Sequence, residues 1–451
     1  MSGRIFGTDG VRGHAGEGWL ETGKVSALGR ALGEVLPAGI QPRALLGHDG
    51  RRSGPQIEAA LARGLATAGF TPCSTGLITT PGLAILTRLG EFDLGVMISA
   101  SHNPASDNGI KVFAKGGEKL SDEVEIAIEE RLRANLEPIE EGPIAKLDTE
   151  LELQYLSYLI DHAAGGLKLD GMSIALDCAN GGGSRIAPRV FGRLGARMVT
   201  LGAEPDGDNI NAGCGSTHPG ALQELVRSQG AAIGIALDGD GDRCILVDER
   251  GELVHGDGIM TAVARHAADR SDWADPRIVA TIMSNRGLHR ALREVEVGVV
   301  TVGVGDRRVV EELRKESLKL GGEQSGHIVF GDDHFYIGDG IYTALRVLKI
   351  MRETGKPLSE LTAPYEPYPQ VLVNVRVASK PELNELPDVS DACRAIEEEL
   401  GEDGRVLLRY SGTEPLMRVM VEGPNHDRIR EQAQELAGLI DAQIGQTSTS
   451  R

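Results

Sequence analysis

Aromatic residues make up only 4% of this 451-residue chain, and several other signals are missing with them. No stretch of about 18 uninterrupted apolar residues exists, so no membrane span is expected. The opening residues, Met1-Ser2-Gly3-Arg4-Ile5-Phe6, carry no apolar signal core. The five cysteines, Cys73, Cys178, Cys214, Cys244 and Cys393, are odd in number and form no CxxC pair. That usage fits reduced thiols in the cytoplasm better than a disulfide framework. Positive charge is also short, with 47 Lys and Arg against 66 Asp and Glu and a net charge of −19. General nucleic-acid binding relies on Lys and Arg to neutralise phosphates, and this balance disfavours it. The same balance disfavours an anionic membrane surface. An anionic ligand requires a local basic pocket set against the overall field.

What the chain does have is glycine, 60 residues of it, mostly in short loops between apolar runs and without a collagen period. That glycine pattern points to an α/β enzyme with close backbone approaches, and hydrophobic residues at 41% and charged residues at 25% are close to those of an ordinary soluble protein. The core is large enough to need no disulfide or metal staple. At roughly 100–200 residues per domain, the length suggests two to four domains. Alternating strand and helix segments mark three βαβ-like blocks, 1–150, 151–252 and 253–366. The first holds a strand at Arg43–Gly47, a helix opened by Ser53 and Pro55, a buried parallel strand at Leu94–Ile98 and an acidic helix from Ser121 to about Glu137. A polar helical linker near 148–165 leads into the second, with strands at Ser173–Leu176, Met198–Leu201 and Ala231–Leu237 and a helix near Ile186–Leu194. The third offers strands at Ile278–Ile282 and Val297–Val302. Beyond Pro364, Pro367 and Pro369 the pattern changes. Val371, Val373, Val375 and Val377 alternate as a half-buried antiparallel strand does. A helix near Asp391–Leu400, a strand pair at Arg405–Tyr410 and Leu416–Val421, and a helix over Arg428–Ile444 complete a small α+β block, 367–451, whose tail Gln446–Arg451 is expected to be disordered. The recurring strand-to-glycine-loop logic suggests three related sheets whose loops converge on one cleft.

Four loops carry chemistry-bearing side chains. In Ser99-Ala100-Ser101-His102-Asn103-Pro104, Ser101 follows a buried strand and is expected to be held rigidly yet to reach solvent. It either bears a covalent group or caps a helix. The G-x-S-x-G elbow of a Ser–His–Asp hydrolase is absent. Lys111, downstream, is either a phosphate or proton partner or a solvated lysine. In Asp238-Gly239-Asp240-Gly241-Asp242-Arg243, three carboxylates crowd together and repel one another unless a cation sits among them. Such hard oxygen ligands suit Mg²⁺ or Ca²⁺, with positions left for a phosphate oxygen. An EF-hand is the rival, with Glu249 at the twelfth position, but Arg243 stands where its turn needs glycine. Arg243 is suited to steadying a transferring phosphoryl group. In Gly322-Glu323-Gln324-Ser325-Gly326-His327, Glu323 and Ser325 can point the same way, as a reader of sugar hydroxyls or an amine, or as a plain polar turn. Arg409-Tyr410-Ser411-Gly412-Thr413-Glu414-Pro415, with Arg418 beyond, is either a phosphate cradle or a capped hairpin turn. It lacks the lysine of a Walker loop. Phe6–Gly13 adds Arg12, and Val304-Gly305-Asp306-Arg307 adds another basic loop.

Taken in order, ASHNP, DGDGDR, GEQSGH and RYSGTEP resemble the phosphoserine, metal, sugar-binding and phosphate-binding loops of the α-D-phosphohexomutase family, over essentially the whole chain. The resemblance implies three related mixed α/β domains and a C-terminal α+β, TATA-binding-protein-like domain around one central cleft. FGTDGVRG, PDGDNIN, CGSTHP, VGDR and GGEQSGH look like the branch that handles glucosamine phosphates. They imply an isomerase that converts glucosamine 6-phosphate to glucosamine 1-phosphate through a 1,6-bisphosphate, for UDP-N-acetylglucosamine and cell-wall synthesis. On that resemblance Ser101 is phosphorylated and joins Asp238, Asp240 and Asp242 around one Mg²⁺ per subunit. Arg12, His102, Lys111 and Arg243 serve the transfer. Glu323 and Ser325 read the sugar, while Arg409, Ser411, Gly412, Thr413 and Arg418 grip the second phosphate. A hexosamine or hexose 1,6-bisphosphate is the implied activator, and the implied assembly is a monomer or homodimer. Neutral-sugar mutases, a phosphatase and a sugar-phosphate sensor are the alternatives. Gly182 and Gly183 replace small non-glycine residues common after DCANG in relatives, a change expected to affect only the turn.

Overall fold

The protein is described by a computed structural model over residues 4–7, 9–411 and 414–445, Asp332 by its backbone alone. The expected disordered tail, Gln446–Arg451, lies outside these residues. The first sheet has six strands in the order Val11–His14, Asp107–Ala114, Leu94–Ile98, Arg43–His48, Thr71–Leu77 and Lys146–Leu147. Leu94–Ile98 is buried at every residue, so both of its faces are covered. It runs parallel to Arg43–His48 but antiparallel to Asp107–Ala114. The sequence reading has no counterpart for Asp107–Ala114. Its buried Asn108 and Lys111 break the apolar pattern by which a central strand is recognised.

The second sheet orders Leu253–Val254, Cys244–Val247, Ile233–Leu237, Ser173–Asp177 and Arg197–Leu201. The third orders Gly298–Val302, Arg277–Thr281, Leu320–Gly322 and Ile328–Phe330. Parallel and antiparallel pairs mix in both. The three loops with chemistry leave the C-terminal ends of Leu94–Ile98, Ile233–Leu237 and Leu320–Gly322.

Two local expectations are corrected. Ser53 precedes the helix Gly54–Thr67 but sits in a helical conformation without a side-chain cap; its hydroxyl accepts from Asn108 Nδ2 at 2.8 Å instead. The segment near 148–165 is no polar linker: it forms the helix Glu150–Tyr158 and a following π turn, and buries Leu151, Tyr155, Leu156 and Leu159. Tyr155 donates to Asp339 at 2.6 Å, the N-cap of the helix Gly340–Thr354. Among the described residues no helix is long and apolar enough to cross a membrane.

The chain forms two compact units. One runs to Met283 and takes in Val297–Ala363; the other combines Ser284–Glu296 with the chain from Pro364 onward. The second contains an antiparallel sheet ordered Gln370–Arg376, Leu416–Glu422, Arg405–Tyr410. Val375, Val377, Met417, Val419 and Val421 bury one face against helices Pro387–Leu400 and His426–Ile444. The helix Arg286–Arg293 joins this unit through buried Glu422, which accepts from the Arg286 backbone and the Arg405 guanidinium.

One buried cation shapes the loop that begins at Ser99. Arg51 is 0% exposed and donates from Nε to Asp49 at 2.9 Å. Its remaining four N–H groups go to the carbonyls of Ser101, Asn103, Pro104 and Asp107. All five guanidinium donors are therefore used. Burial pushes the Asp49 carboxyl above its usual range, and Arg51 and Ser99 pull it only part of the way back. Removing one partner of such a pair leaves an uncompensated buried charge. Arg51→Met should lower unfolding free energy by roughly 3–5 kcal/mol, read by urea denaturation. A variant as stable as wild type would show that the pair adds no net stability.

Candidate active site

Ser101 adopts φ +53°, a left-handed conformation that disfavours non-glycine residues. The neighbours over-determine it. Its carbonyl accepts from Arg51 and from Asn211 Nδ2, each at 2.9 Å, and its N–H donates to Ser99 Oγ at 2.8 Å. Ser99 Oγ in turn donates to Asp49 at 2.5 Å. Ser101 caps no helix, and its hydroxyl does not reach solvent as expected: it is 2% exposed because Oγ turns onto Asp238 Oδ2 at 2.6 Å.

The three aspartates gather as their spacing suggests, with ligand oxygens within 4.8 Å of one another. Two glycines make this possible. Gly241 takes φ +71°, and a Cβ at Gly239 would lie 2.6 Å from the Ser101 carbonyl oxygen. Gly182 donates its N–H to Gly239 O at 2.8 Å, and a Cβ there would lie 2.1 Å from the Ile78 carbonyl oxygen, so this glycine permits a close approach beyond its own turn. Burial, followed by Asp242 and Asp240, drives the Asp238 carboxyl well above its usual range. Burial also works against the Asp240 charge, but Lys111 and Thr80 override it and hold that carboxyl below its usual range. Asp240 Oδ1 and Asp242 Oδ1 are buried without a partner among the described residues. An all-oxygen donor set with two unsatisfied carboxylate oxygens fits a hard divalent cation. The EF-hand alternative is excluded, because the residues after Arg243 form the strand Cys244–Val247 and Glu249 bonds Ser359.

Lys111 is 3% exposed, not solvated, and lies 2.7 Å from Asp9, 2.9 Å from Asp240 and 3.5 Å from Asp242. Burial alone would lower its pKa; Asp240 and Asp9 raise it well above the usual value. Arg12 meets Asp9 at 2.8 Å. His102 Nδ1 lies 3.3 Å from Ser101 Oγ, and burial, then Arg243 and Arg12, push its pKa down to about 4. The imidazole is therefore neutral at neutral pH. Arg243 is half-buried, and its backbone N–H donates to Asp238 at 3.1 Å. Burial opposes its charge, but Asp238, Asp242 and Glu323 outweigh that.

The sugar-loop candidates lie beside the metal loop. Cys244 N–H donates to Gly326 O at 2.9 Å, and Arg243 bridges His327 across the backbone. Ser325 Oγ reaches Glu323 Oε2 at 3.4 Å, and Gly305 N–H donates to Glu323 Oε1 at 3.1 Å. Arg307 does not serve as a free basic group: it binds Asp122 at 2.5 Å, Glu125 at 2.7 Å and the Leu120 carbonyl at 2.6 Å. In the C-terminal unit, Arg409 and Arg418 stand directly opposite one another on paired strands, both exposed. Ser411 Oγ accepts from the Glu414 N–H at 3.2 Å, and Lys380 Nζ donates to the Ser411 carbonyl at 2.5 Å. Gly412 and Thr413 lie outside the described residues.

Sequence reasoning missed Asp9, Arg51, Thr80, Lys119, Asn211 and Lys380. Thr80 donates to Asp240 from the start of the helix Thr80–Leu89. The signals for Asp9 and Asn211 were in FGTDGVRG and PDGDNIN, but nothing local told which member of each would turn inward.

Family models for phosphoglucomutase/phosphomannomutase match along the chain: alpha/beta/alpha domain I over 3–138, domain II over 154–251, domain III over 255–368 and the C-terminal domain over 372–439. A phosphoglucosamine mutase of Syntrophotalea carbinolica is 45% identical, covering 99% of both chains. One of Thermoanaerobacter sp. is 47% identical, covering 98% of this chain and 99% of the other. A phosphoglucomutase/phosphomannomutase family protein from Burkholderia thailandensis superposes with a TM-score of 0.80 at 25% identity, over 97% of each chain. The fold is also that of an Aspergillus fumigatus N-acetylphosphoglucosamine mutase solved with GlcNAc-6P and magnesium, with TM-score 0.68, 20% identity, and 97% and 96% of the two chains covered. With four domain models in order and full-length relatives at this identity, the chain belongs to the phosphoglucomutase/phosphomannomutase family of sugar-phosphate mutases.

Proposed function

We propose that this chain interconverts glucosamine 6-phosphate and glucosamine 1-phosphate, using Ser101 as the phosphoryl carrier. The observation that carries the reading is the Ser101 hydroxyl, fixed in a strained backbone and set 2.6 Å from Asp238 beside two more aspartates. The substrate is the one named for the full-length relatives. In the first half-reaction the bond between phosphorus and Ser101 Oγ breaks and a bond to the free sugar hydroxyl forms. The hydroxyl gives up its proton, and Ser101 Oγ takes one back. The resulting 1,6-bisphosphate turns round, and its other phosphoryl group returns to Ser101.

Asp238, Asp240 and Asp242 would hold Mg²⁺. When bound, the ion supplies positive charge to the phosphoryl oxygens. Lys111, Arg12 and Arg243 add fixed positive charge in a site that need not reorganise. His102 Nδ1, 3.3 Å from Ser101 Oγ, is placed to hydrogen-bond the carrier. Glu323 and Ser325 read the sugar, with the Glu323 carboxylate facing its ammonium. Arg409, Ser411 and Arg418, with Gly412 and Thr413, grip the non-reacting phosphate. Like charges directly opposite on paired strands weaken a sheet, so Arg409 and Arg418 make sense where an anion joins them. The same reading takes a 1,6-bisphosphate as activator, the cytoplasm as location, given five free cysteines, and four domains divided at 1–150, 151–252, 253–366 and 367–451.

Ser101→Ala should lower kcat at least about a thousandfold, measured by coupled assay of glucosamine 1-phosphate; wild-type turnover would remove Ser101 from the covalent role. Asp240→Asn should raise the Mg²⁺ concentration needed for half-maximal rate by more than about tenfold while changing the melting temperature little. An unchanged Mg²⁺ titration would sink the metal assignment. Compared side by side, kcat/KM for glucosamine 6-phosphate should exceed that for glucose 6-phosphate and mannose 6-phosphate by about tenfold or more. Equal or better turnover of the neutral sugars would keep the mutase chemistry and withdraw the amine contact to Glu323.

A further inference from the structure

The cations around Ser101 belong to a closed ring in which carboxylates alternate with two lysines and the His327 ring. Lys111 lies 3.5 Å from Asp242 and 2.7 Å from Asp9. Asp9 lies 2.5 Å from Lys119, and Lys119 pairs with Asp306. Asp306 lies 3.7 Å from His327, whose ring returns to Asp242 at 4.0 Å. Asp9, Lys111 and Lys119 come from the part of the chain matched as domain I, Asp242 from domain II, and Asp306 and His327 from domain III.

Within this ring Asp9 is divided between two jobs. Its Oδ1 accepts from Lys119 at 2.5 Å. Its Oδ2 accepts from Arg12 at 2.8 Å and lies 2.7 Å from Lys111 Nζ. One oxygen is anchored, and the other faces both cations of the first domain that bear on the phosphoryl group. Lys111 has three carboxylate neighbours, two of which, Asp240 and Asp242, belong to the metal set. When a cation draws on those two, Asp9 is the carboxylate left to fix the direction of the ammonium. A short, half-buried side chain that holds a cation by one oxygen and is itself held by the other fixes the direction of that cation.

We propose that Asp9 is a positioning residue for phosphoryl transfer, aiming Lys111 and Arg12, and that Lys119, pinned by Asp306, sets the direction of Asp9. The proposal rests on the mutase reading above and adds to it a function for FGTDGVRG and for the VGDR loop. Asp9 touches neither Ser101 nor the aspartate cluster directly; it acts through Lys111 and Arg12. The isosteric variant Asp9→Asn keeps the shape and loses the charge on both arms.

The test uses full-length phosphorylated enzyme with Mg²⁺: wild type, Asp9→Asn, Lys119→Met, Lys119→Arg and the double variant Asp9→Asn/Lys119→Met. Four quantities are read for each: kcat and KM for glucosamine 6-phosphate, the rate at which dephosphorylated enzyme takes a phosphoryl group from glucose 1,6-bisphosphate by mass spectrometry, Mn²⁺ affinity, and melting temperature. Asp9→Asn should lose about 10–100-fold in kcat and in the phosphorylation rate, with KM within about threefold and Mn²⁺ affinity and melting temperature near wild type. Lys119→Met should lose kcat in the same direction, and Lys119→Arg should recover most of it. The double variant should be no slower than Asp9→Asn, because both changes break one chain of contacts. Wild-type kcat in Asp9→Asn would overturn the proposal. So would a loss matched by falls in melting temperature and Mn²⁺ affinity, or full additivity in the double variant. Wild-type enzyme inactive on every sugar phosphate would instead overturn the mutase reading, which separates the two failures.

Discussion

The Asp49–Arg51 contact is the one on which the phosphoryl-carrier loop depends. A guanidinium at 0% exposure cannot leave an N–H unmet, so it collects four backbone carbonyls from Ser101 to Asp107. That requirement turns a flexible connection into a rigid cup. The rigidity holds Ser101 at a positive φ, a conformation that costs on the order of 1–3 kcal/mol. It also fixes the Ser101 carbonyl, against which Gly239 packs closely enough to exclude a Cβ, so the serine and aspartate loops constrain one another. Asn211, from a third stretch of chain, bonds the same carbonyl and closes the arrangement.

The electrostatics of the site run against those of the whole molecule. A chain of net charge −19 gathers Arg12, Lys111, Lys119 and Arg243 around its most acidic loop. Lys111 meets Asp240 and Asp9, the condition under which buried charges survive without neutralising, whereas Asp238, crowded by Asp242 and Asp240, is pushed towards its neutral form. Two oxygens escape that pairing, on Asp240 and Asp242, and they mark where positive charge is still wanted.

Much of this was legible in the sequence because it is local. Three carboxylates alternating with glycine turn inward for reasons contained in that loop alone, and Val371, Val373 and Val375 alternate because one sheet face is buried. What escaped is what depends on distant partners. Asp107–Ala114 goes unrecognised as a strand because its Lys111 is buried only by neutralising aspartates from elsewhere. The stretch near 148–165 reads as a linker until Tyr155 is found bonded to Asp339. The Ser101 side chain follows a buried strand as the pattern says, but its burial depends on Asp238, far along the chain. Arg51 carries no motif at all, since its partners are carbonyls and a carbonyl has no sequence signature.

The interleaved boundary between the two compact units has an architectural consequence. The chain passes from one to the other after Met283, returns after Glu296 and leaves again after Ala363. A cassette cut at the last crossing would lack Ser284–Glu296, and with it the backbone N–H of Arg286 that meets buried Glu422 and the Ser284 carbonyl that receives Arg405. Gene fusion or domain exchange therefore cannot move the C-terminal unit as a single contiguous piece. It has to carry a short helix encoded inside the preceding domain, which ties the inheritance of the two together.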